Sequence, residues 1–114
     1  MLDLVAAVRA EVAVPVAVKI GPWFSALAHM ATRLAEAGAD GLVLFNRLYQ
    51  PDIDLTGPAV RPRLSLSTPG NVRQSVAWIG IRSGQVPVTL AASGGVDSAH
   101  DVVKLILAGQ DPDP

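Results

Sequence analysis

Three apolar stretches in this chain of 114 residues each end at a residue type that can do chemistry. Lys19 stands near the end of residues 14–20. Asn46 follows Leu42-Val43-Leu44-Phe45, and Ser93-Gly94-Gly95 follows residues 86–91. An ammonium at the end of a buried strand must reach water, pair with an acid or face a ligand. For Lys19 the plain route to water and a ligand contact weigh evenly; a fixed ammonium would suit a polarised carbonyl or an anionic flavin ring. The Asn46 amide donates and accepts, so it can read a planar imide or a carboxylate. Shaping the start of the next loop through backbone bonds is its slightly favoured alternative. Two glycines let backbone amides approach an anion closely, and a helix start beyond them adds a favourable dipole. That is the layout of a barrel phosphate site, although Gly-Gly before a helix is more often a tight turn.

Other reactive residue types lack partners. His29 and His100 each fall within a helical pattern without ligand-spaced neighbours, and read as surface or rim residues. Asp52 and Asp54 form a spacing open to a metal, but solvated loop acids are commoner. Trp23-Phe24 beside Pro22 reads as packing for a strand-to-helix turn. Ser65, Ser67 and Thr68 have no base that the sequence places near them, so a hydrolase triad has no support.

The elements that must position these residues follow from apolar periodicity. Leu2, Val5, Ala6, Val8 and Val12 predict a short helix over 1–14, ended by Pro15. Residues 14–20 are an apolar, β-branched run closed by Gly21-Pro22, which predicts a strand buried on both faces in a parallel sheet. Leu27, Met30, Ala31 and Leu34 predict a helix over 25–37, capped by Ser25 and stopped by Gly38. Residues 41–45 are the next strand. The long connection 46–67, with Pro51, Gly57, Pro58 and Pro62, has the length of a functional loop. Within it, 53–55 and 59–61 can pair as a small hairpin. Thr68-Pro69 starts a helix to about Arg82 through Val72, Val76 and Ile79, and Gly84 stops it. Residues 86–91 form a third strand. Asp97 is the expected cap of a last helix, 99–107, with Val102, Val103, Ile106 and Leu107 as its apolar stripe.

Two segments echo each other. Glu36-Ala37-Gly38-Ala39-Asp40 leads from helix into strand, and Leu107-Ala108-Gly109-Gln110-Asp111 calls for the same continuation. Pro112-Asp113-Pro114 follows instead, and two prolines cannot serve a central strand. Residues 1–109 therefore read as a partial β/α barrel or open sheet, and 110–114 as a tail outside the pattern. Strand–helix alternation requires parallel strands with right-handed crossovers.

Composition limits the function classes. Half of the residues are apolar, mostly aliphatic, with 9 basic and 10 acidic residues and no basic block. Nothing in that balance points to nucleic acid or an anionic membrane. Cysteine is absent, so disulfides, thiolate metal sites and a cysteine nucleophile are excluded. No signal peptide is expected, and no apolar run reaches the ~18 residues of a bilayer span. A cytoplasmic location is the expectation.

Several segments together resemble the dihydroorotate dehydrogenase family. Val18-Lys19-Ile20-Gly21-Pro22-Trp23-Phe24 is similar to a Lys-x-x-Pro-Tyr-Phe-like segment. Residues 38–46 resemble the family strand that ends in a substrate-contacting Asn. Ile53-Asp54-Leu55 through Arg61-Pro62 resembles its small hairpin. Ala92-Ser93-Gly94-Gly95-Val96 with Asp101 resembles its flavin-phosphate turn and following helix. Phe45-Asn46-Arg47 and Tyr49-Gln50-Pro51-Asp52 resemble a bacterial dihydroorotate dehydrogenase-like subgroup. The match spans nearly the whole chain in order.

The resemblance implies part of a TIM (β/α)8 barrel, about three units, from an FMN-dependent oxidoreductase of pyrimidine biosynthesis. Lys19 would contact the isoalloxazine ring, Gly94 and Gly95 the FMN phosphate, and Asn46 the pyrimidine substrate. The family's Cys or Ser base and the remaining strands have no counterpart, so the chain reads as a fragment, inactive alone. Missing barrel strands or an oligomer partner would complete it. The alternatives are a small α/β module that binds a phosphorylated ligand, or a piece of another phosphate-binding barrel enzyme. A bare phosphate binder needs neither Lys19 nor Asn46 at those strand ends, which favours the flavin reading.

Overall fold

Short apolar runs bounded by glycine and proline become strands, and the alanine-rich stretches between them become helices. The computed structural model describes residues 1–47, 51–57, 59–61 and 66–111. The order is α1 (Leu2–Glu11), β1 (Ala17–Ile20), α2 (Leu27–Glu36), β2 (Gly41–Leu44), β3 (Asp52–Asp54) and β4 (Ala59–Arg61), then a 3-10 turn (Pro69–Asn71), α3 (Val72–Arg82), β5 (Thr89–Ala92) and α4 (Ala99–Ala108). β1, β2 and β5 form a parallel sheet in that order. Ala17, Gly41 and Thr89 share one row of the register, and Ile20, Leu44 and Ala92 another. Parallel neighbours need a crossover, and α2 and α3 lie in the two crossing segments. This is the architecture of a partial β/α barrel. The small hairpin forms with Ile53 opposite Val60, its first strand one residue earlier than the predicted 53–55.

Side chains alternate across a strand, so register decides which residues share a face. Val18, Ile20, Leu42, Leu44, Leu90 and Ala92 share the face that packs on the helices. Leu27, Ala31 and Leu34 of α2, Val72 and Ile79 of α3 and Leu105 of α4 complete that core. Leu34, Leu42, Ile79 and Leu105 are its largest fully buried side chains. Each stabilises the fold by about 1.5–3 kcal/mol through burial. Two polar links cross the same layer. Buried Ser75 donates through Oγ to the Leu44 carbonyl at 2.9 Å. Arg82, also buried, donates to Gln85 Oε1 at 3.1 Å and to Thr32 Oγ1 at 3.3 Å, tying α3 to α2.

The opposite face carries Ala17, Lys19, Gly41, Val43, Thr89 and Ala91. Ala17 and Lys19 are exposed. The expectation that the first strand is buried on both faces is therefore corrected. β1 is an edge strand with β2 on one side, and the described helices pack on the other face of the sheet. β1 is also shorter than 14–20, and β5 is shorter than 86–91 at its start and reaches Ala92.

Several local expectations shift by one residue or one face. α2 starts after Ala26, without a side-chain cap, so Ser25 does not cap it. α4 is capped by Ser98, not Asp97: its hydroxyl accepts from the Asp101 N–H at 3.2 Å and donates to Asp101 Oδ2 at 2.9 Å. The stretch after Thr68 opens as a 3-10 turn, where Asn71 Oδ1 accepts from the Thr68 N–H at 2.6 Å. Phe24 packs on the core as expected, but Trp23 is 75% exposed. Val102, Val103, Ile106 and Leu107 do not form the buried stripe of α4; all four are exposed, and Asp101 and Leu105 are buried.

The echo between the two helix ends is real in three dimensions. Gly38 and Gly109 both adopt left-handed φ, +107° and +112°. Asp40 donates its N–H to Val16 O and accepts the Val16 N–H on Oδ2, both at 2.8 Å. Asp111 does the same to Leu90, at 3.1 and 2.9 Å. Gln110 Oε1 also accepts the Ala92 N–H at 2.7 Å. Side-chain oxygens thus meet N–H groups of β5 on the edge away from β2. Residues 112–114 lie outside the described residues.

Candidate functional site

In parallel α/β folds ligands meet the C-terminal ends of strands, because successive loops converge there. The structure brings the three sequence-selected positions together at that end. Lys19 leaves β1 on the sheet's open face and donates from Nζ to Ser93 Oγ at 2.9 Å. Asn46, just beyond β2, donates its backbone N–H to Ile20 O at 2.8 Å. Its side-chain Nδ2 reaches Lys19 O at 3.4 Å, a long bond. Ser93 donates its N–H to Leu44 O at 2.7 Å and accepts the Phe45 N–H at 3.3 Å. Ser93 is therefore held by backbone on the β2 side while its hydroxyl holds the lysine. The Leu44–Phe45 peptide between these contacts is cis.

Beyond Ser93, Gly94 and Gly95 take φ of +98° and +75°. A side chain is costly in that region, and at Gly95 there is no room for one. A Cβ there would lie 2.7 Å from both Thr68 O and Val72 N. The turn is thus wedged against the start of α3. Among the described residues no acceptor takes the Gly94 or Gly95 N–H. Two adjacent backbone donors just before α4 can serve an oxyanion, and the helix N-terminus favours negative charge.

Two further side chains belong to this end of the sheet, and the sequence reading gave them no role. Arg47 donates from Nη2 to Ser67 Oγ at 2.9 Å. A Cβ on Gly94 would lie 3.8 Å from that same Ser67 Oγ. The only sequence cue was the position of Arg47 directly after Asn46. Its partner stands 20 residues away across the long loop.

The remaining candidates stay apart. His29 and His100 are exposed on α2 and α4. Asp54 shapes the hairpin turn: its Oδ1 accepts from the Thr56 N–H at 2.9 Å and from the Thr56 hydroxyl at 2.7 Å. Among the described residues no group of three His, Asp or Glu is placed to hold a metal ion. Ser65 lies outside the described residues. At the head of α4, the Ser98 hydroxyl holds the Asp101 carboxyl below its ordinary range. Asp97, which shares a hydrogen bond with Asp101, is pushed up.

Comparison with known proteins finds relatives that match most of the chain. A dihydroorotate dehydrogenase B (NAD(+)) catalytic subunit from Shouchella clausii is 33% identical over 112 residues, 94% of this chain and 36% of that protein. The protein of the same name from Geobacillus kaustophilus is 36% identical over 113 residues, 94% of this chain and 35% of its own length. Another, from Oceanobacillus iheyensis, is 34% identical over 102 residues, 85% and 33% respectively.

The chain is a homologue of dihydroorotate dehydrogenases.

It spans about a third of the length of these dihydroorotate dehydrogenase relatives. No family model matches the chain. Among the described residues no helix is long and apolar enough to cross a membrane.

Proposed function

We propose that these strand ends are part of the FMN and substrate site of a dihydroorotate dehydrogenase-type oxidoreductase acting in pyrimidine biosynthesis. The observation that carries the reading is the convergence of Lys19, Asn46 and Ser93-Gly94-Gly95 at the C-terminal ends of three adjacent parallel strands. The residues present fit the flavin. Gly94 and Gly95 offer two adjacent N–H donors that have no acceptor among the described residues, suited to its phosphate. Lys19 offers a cation on the open face of the sheet, suited to the electron-rich edge of the ring. Asn46 offers an amide that can pair with the donor and acceptor groups of a pyrimidine.

FMN, when bound, supplies an acceptor for the hydride of dihydroorotate. The residues of this chain bind and orient. Lys19, fixed by Ser93, places positive charge where an anionic ring is stabilised. Asn46 fixes the plane of the substrate. A proton must also leave the substrate, and the chain contains no cysteine to take it. The Ser67 and Ser93 hydroxyls already hold Arg47 and Lys19. On this reading the base comes from a part of the barrel that this chain does not supply, and so do further strands or an oligomer partner.

The test is an absorbance and fluorescence titration of the purified 114-residue chain with FMN, followed by addition of dihydroorotate. The expected result is weak FMN binding that Lys19→Ala weakens further, with no bleaching of the flavin by dihydroorotate. Tight stoichiometric binding with turnover would show that the chain is self-sufficient. FMN binding indifferent to Lys19→Ala would remove the lysine from the site.

A further inference from the structure

Two cations face the same end of the sheet, and among the described residues no carboxylate holds either of them. Lys19 is tethered by the Ser93 hydroxyl and Arg47 by the Ser67 hydroxyl. Among the described residues Arg47 has no ion pair. A hydroxyl fixes a cation's position without cancelling its charge, so among the described residues no anion compensates the positive field at this end. Such a field draws an anion.

The tether also decides where the guanidinium stands. Ser67 precedes Thr68, whose carbonyl lies against Gly95, and the Ser67 hydroxyl lies beside Gly94. Arg47 therefore reaches the glycine turn through one hydroxyl. Its fork has five N–H donors, and Ser67 occupies one of them. The remaining donors match the paired oxygens of a phosphate or a carboxylate, which a lysine at the same place would not.

We propose that Arg47 is an oxyanion-binding residue of this site, acting beside the Gly94 and Gly95 amides on the anionic group of the ligand. The proposal deepens the reading of the strand ends as a ligand site. It does not depend on the ligand being a flavin. The oxyanion has two possible sources, the phosphate of a nucleotide-like cofactor and the carboxylate of a small ring substrate.

The experiment follows the Gly94 and Gly95 amide signals of the full 114-residue chain by NMR. The chain is titrated separately with inorganic phosphate, FMN, riboflavin and orotate. Wild type is compared with Arg47→Gln, Arg47→Lys, Ser67→Ala and, as a surface control on α2, Arg33→Gln. Amide dispersion matching the wild type shows that each variant is folded. Arg47→Gln is expected to weaken the oxyanion-bearing ligand about tenfold. Arg47→Lys should restore binding in part, Ser67→Ala should give a smaller loss, and Arg33→Gln should give none. A phosphate source shows as weaker phosphate and FMN with riboflavin unchanged. A carboxylate source shows as weaker orotate with FMN unchanged. FMN binding no better than inorganic phosphate would sink the flavin reading and leave Arg47 in place. Arg47→Gln that binds all four probes as wild type does, or a wild type that binds no oxyanion, overturns the proposal.

Discussion

Helix α2 stops at Gly38 and α4 at Gly109, both left-handed, and the residue two places on is in each case an aspartate whose carboxylate accepts a backbone N–H, from Val16 just before β1 or from Leu90 in β5. The two helices bury their apolar residues differently. α2 buries Leu27, Ala31 and Leu34, the stripe that its spacing predicts. α4 buries Asp101 and Leu105 and leaves Val102, Val103, Ile106 and Leu107 open, Leu107 at 82%. The difference is one of neighbours. β1 and β2 both flank the α2 crossover and α1 touches it, whereas α4 packs on α3 along one side and follows β5, whose second edge meets only Gln110 and Asp111 among the described residues. A periodic stripe shows which residues can be buried; it does not show that a neighbour is present to bury them.

The sharpest test of that contrast is one leucine from each helix. Leu34→Ala removes a fully buried side chain from the centre of the core and should cost about 2–5 kcal/mol in urea unfolding. Leu107→Ala removes a side chain of similar size from the open side of α4 and should change stability by less than about 0.5 kcal/mol. Equal losses would mean that the α4 stripe is covered in solution.

The similarity of the two helix ends can be broken separately. A Cβ on Gly38 would press on the Arg9 side chain at 2.8 Å, and a flexible stem can move aside. A Cβ on Gly109 would run into Ser83 Oγ and Cβ, close to the Ser83 backbone. Both alanines also bear the left-handed penalty of about 1–2 kcal/mol. Gly109→Ala should therefore lower Tm more than Gly38→Ala. Adding Ser83→Ala should narrow the gap without closing it, because the hydroxyl is then gone while the Ser83 Cβ and the backbone strain remain.

Much of the architecture was legible because the two periods differ so clearly. Four apolar residues between glycine or proline breaks make a parallel strand, and ten residues with a 3.6 repeat make a helix. Cap residues were harder. Ser25 against Ala26 and Asp97 against Ser98 differ by one position, and all but Ala26 are chemically plausible caps, so local sequence does not choose. The exposure of β1 is not legible in sequence because an apolar composition looks the same on an edge strand as on a central one. At the candidate site, Lys19, Asn46 and Ser93-Gly94-Gly95 could be found because strand ends in a parallel sheet share one side. The Lys19–Ser93 bond, 74 residues apart, and the Arg47–Ser67 bond could not, since loop geometry and not periodicity brings those atoms together.

The smallest expected effect concerns the head of α4, where local bonds fix the helix start. Asp101 is held below its ordinary pKa, first by the Ser98 hydroxyl and then by its hydrogen bond with Asp97. The unfolded chain therefore takes up this proton before the folded one does. The stability that Asp101 contributes is complete above its ordinary pKa and is lost as pH falls through its depressed value. Asp97 runs the other way. Its pKa is raised, mainly by the hydrogen bond with Asp101, so its contribution is complete below the ordinary value and is lost as pH rises through the raised one. Asp101→Asn should lower Tm at neutral pH and flatten its decline in acid, and it should also return Asp97 towards ordinary behaviour. Asp97→Asn should keep the acid decline of Asp101 and remove the opposing loss. Thermal melts of the three proteins across the carboxylate range separate these outcomes: curves that stay parallel at every pH would show that neither carboxyl is linked to folding.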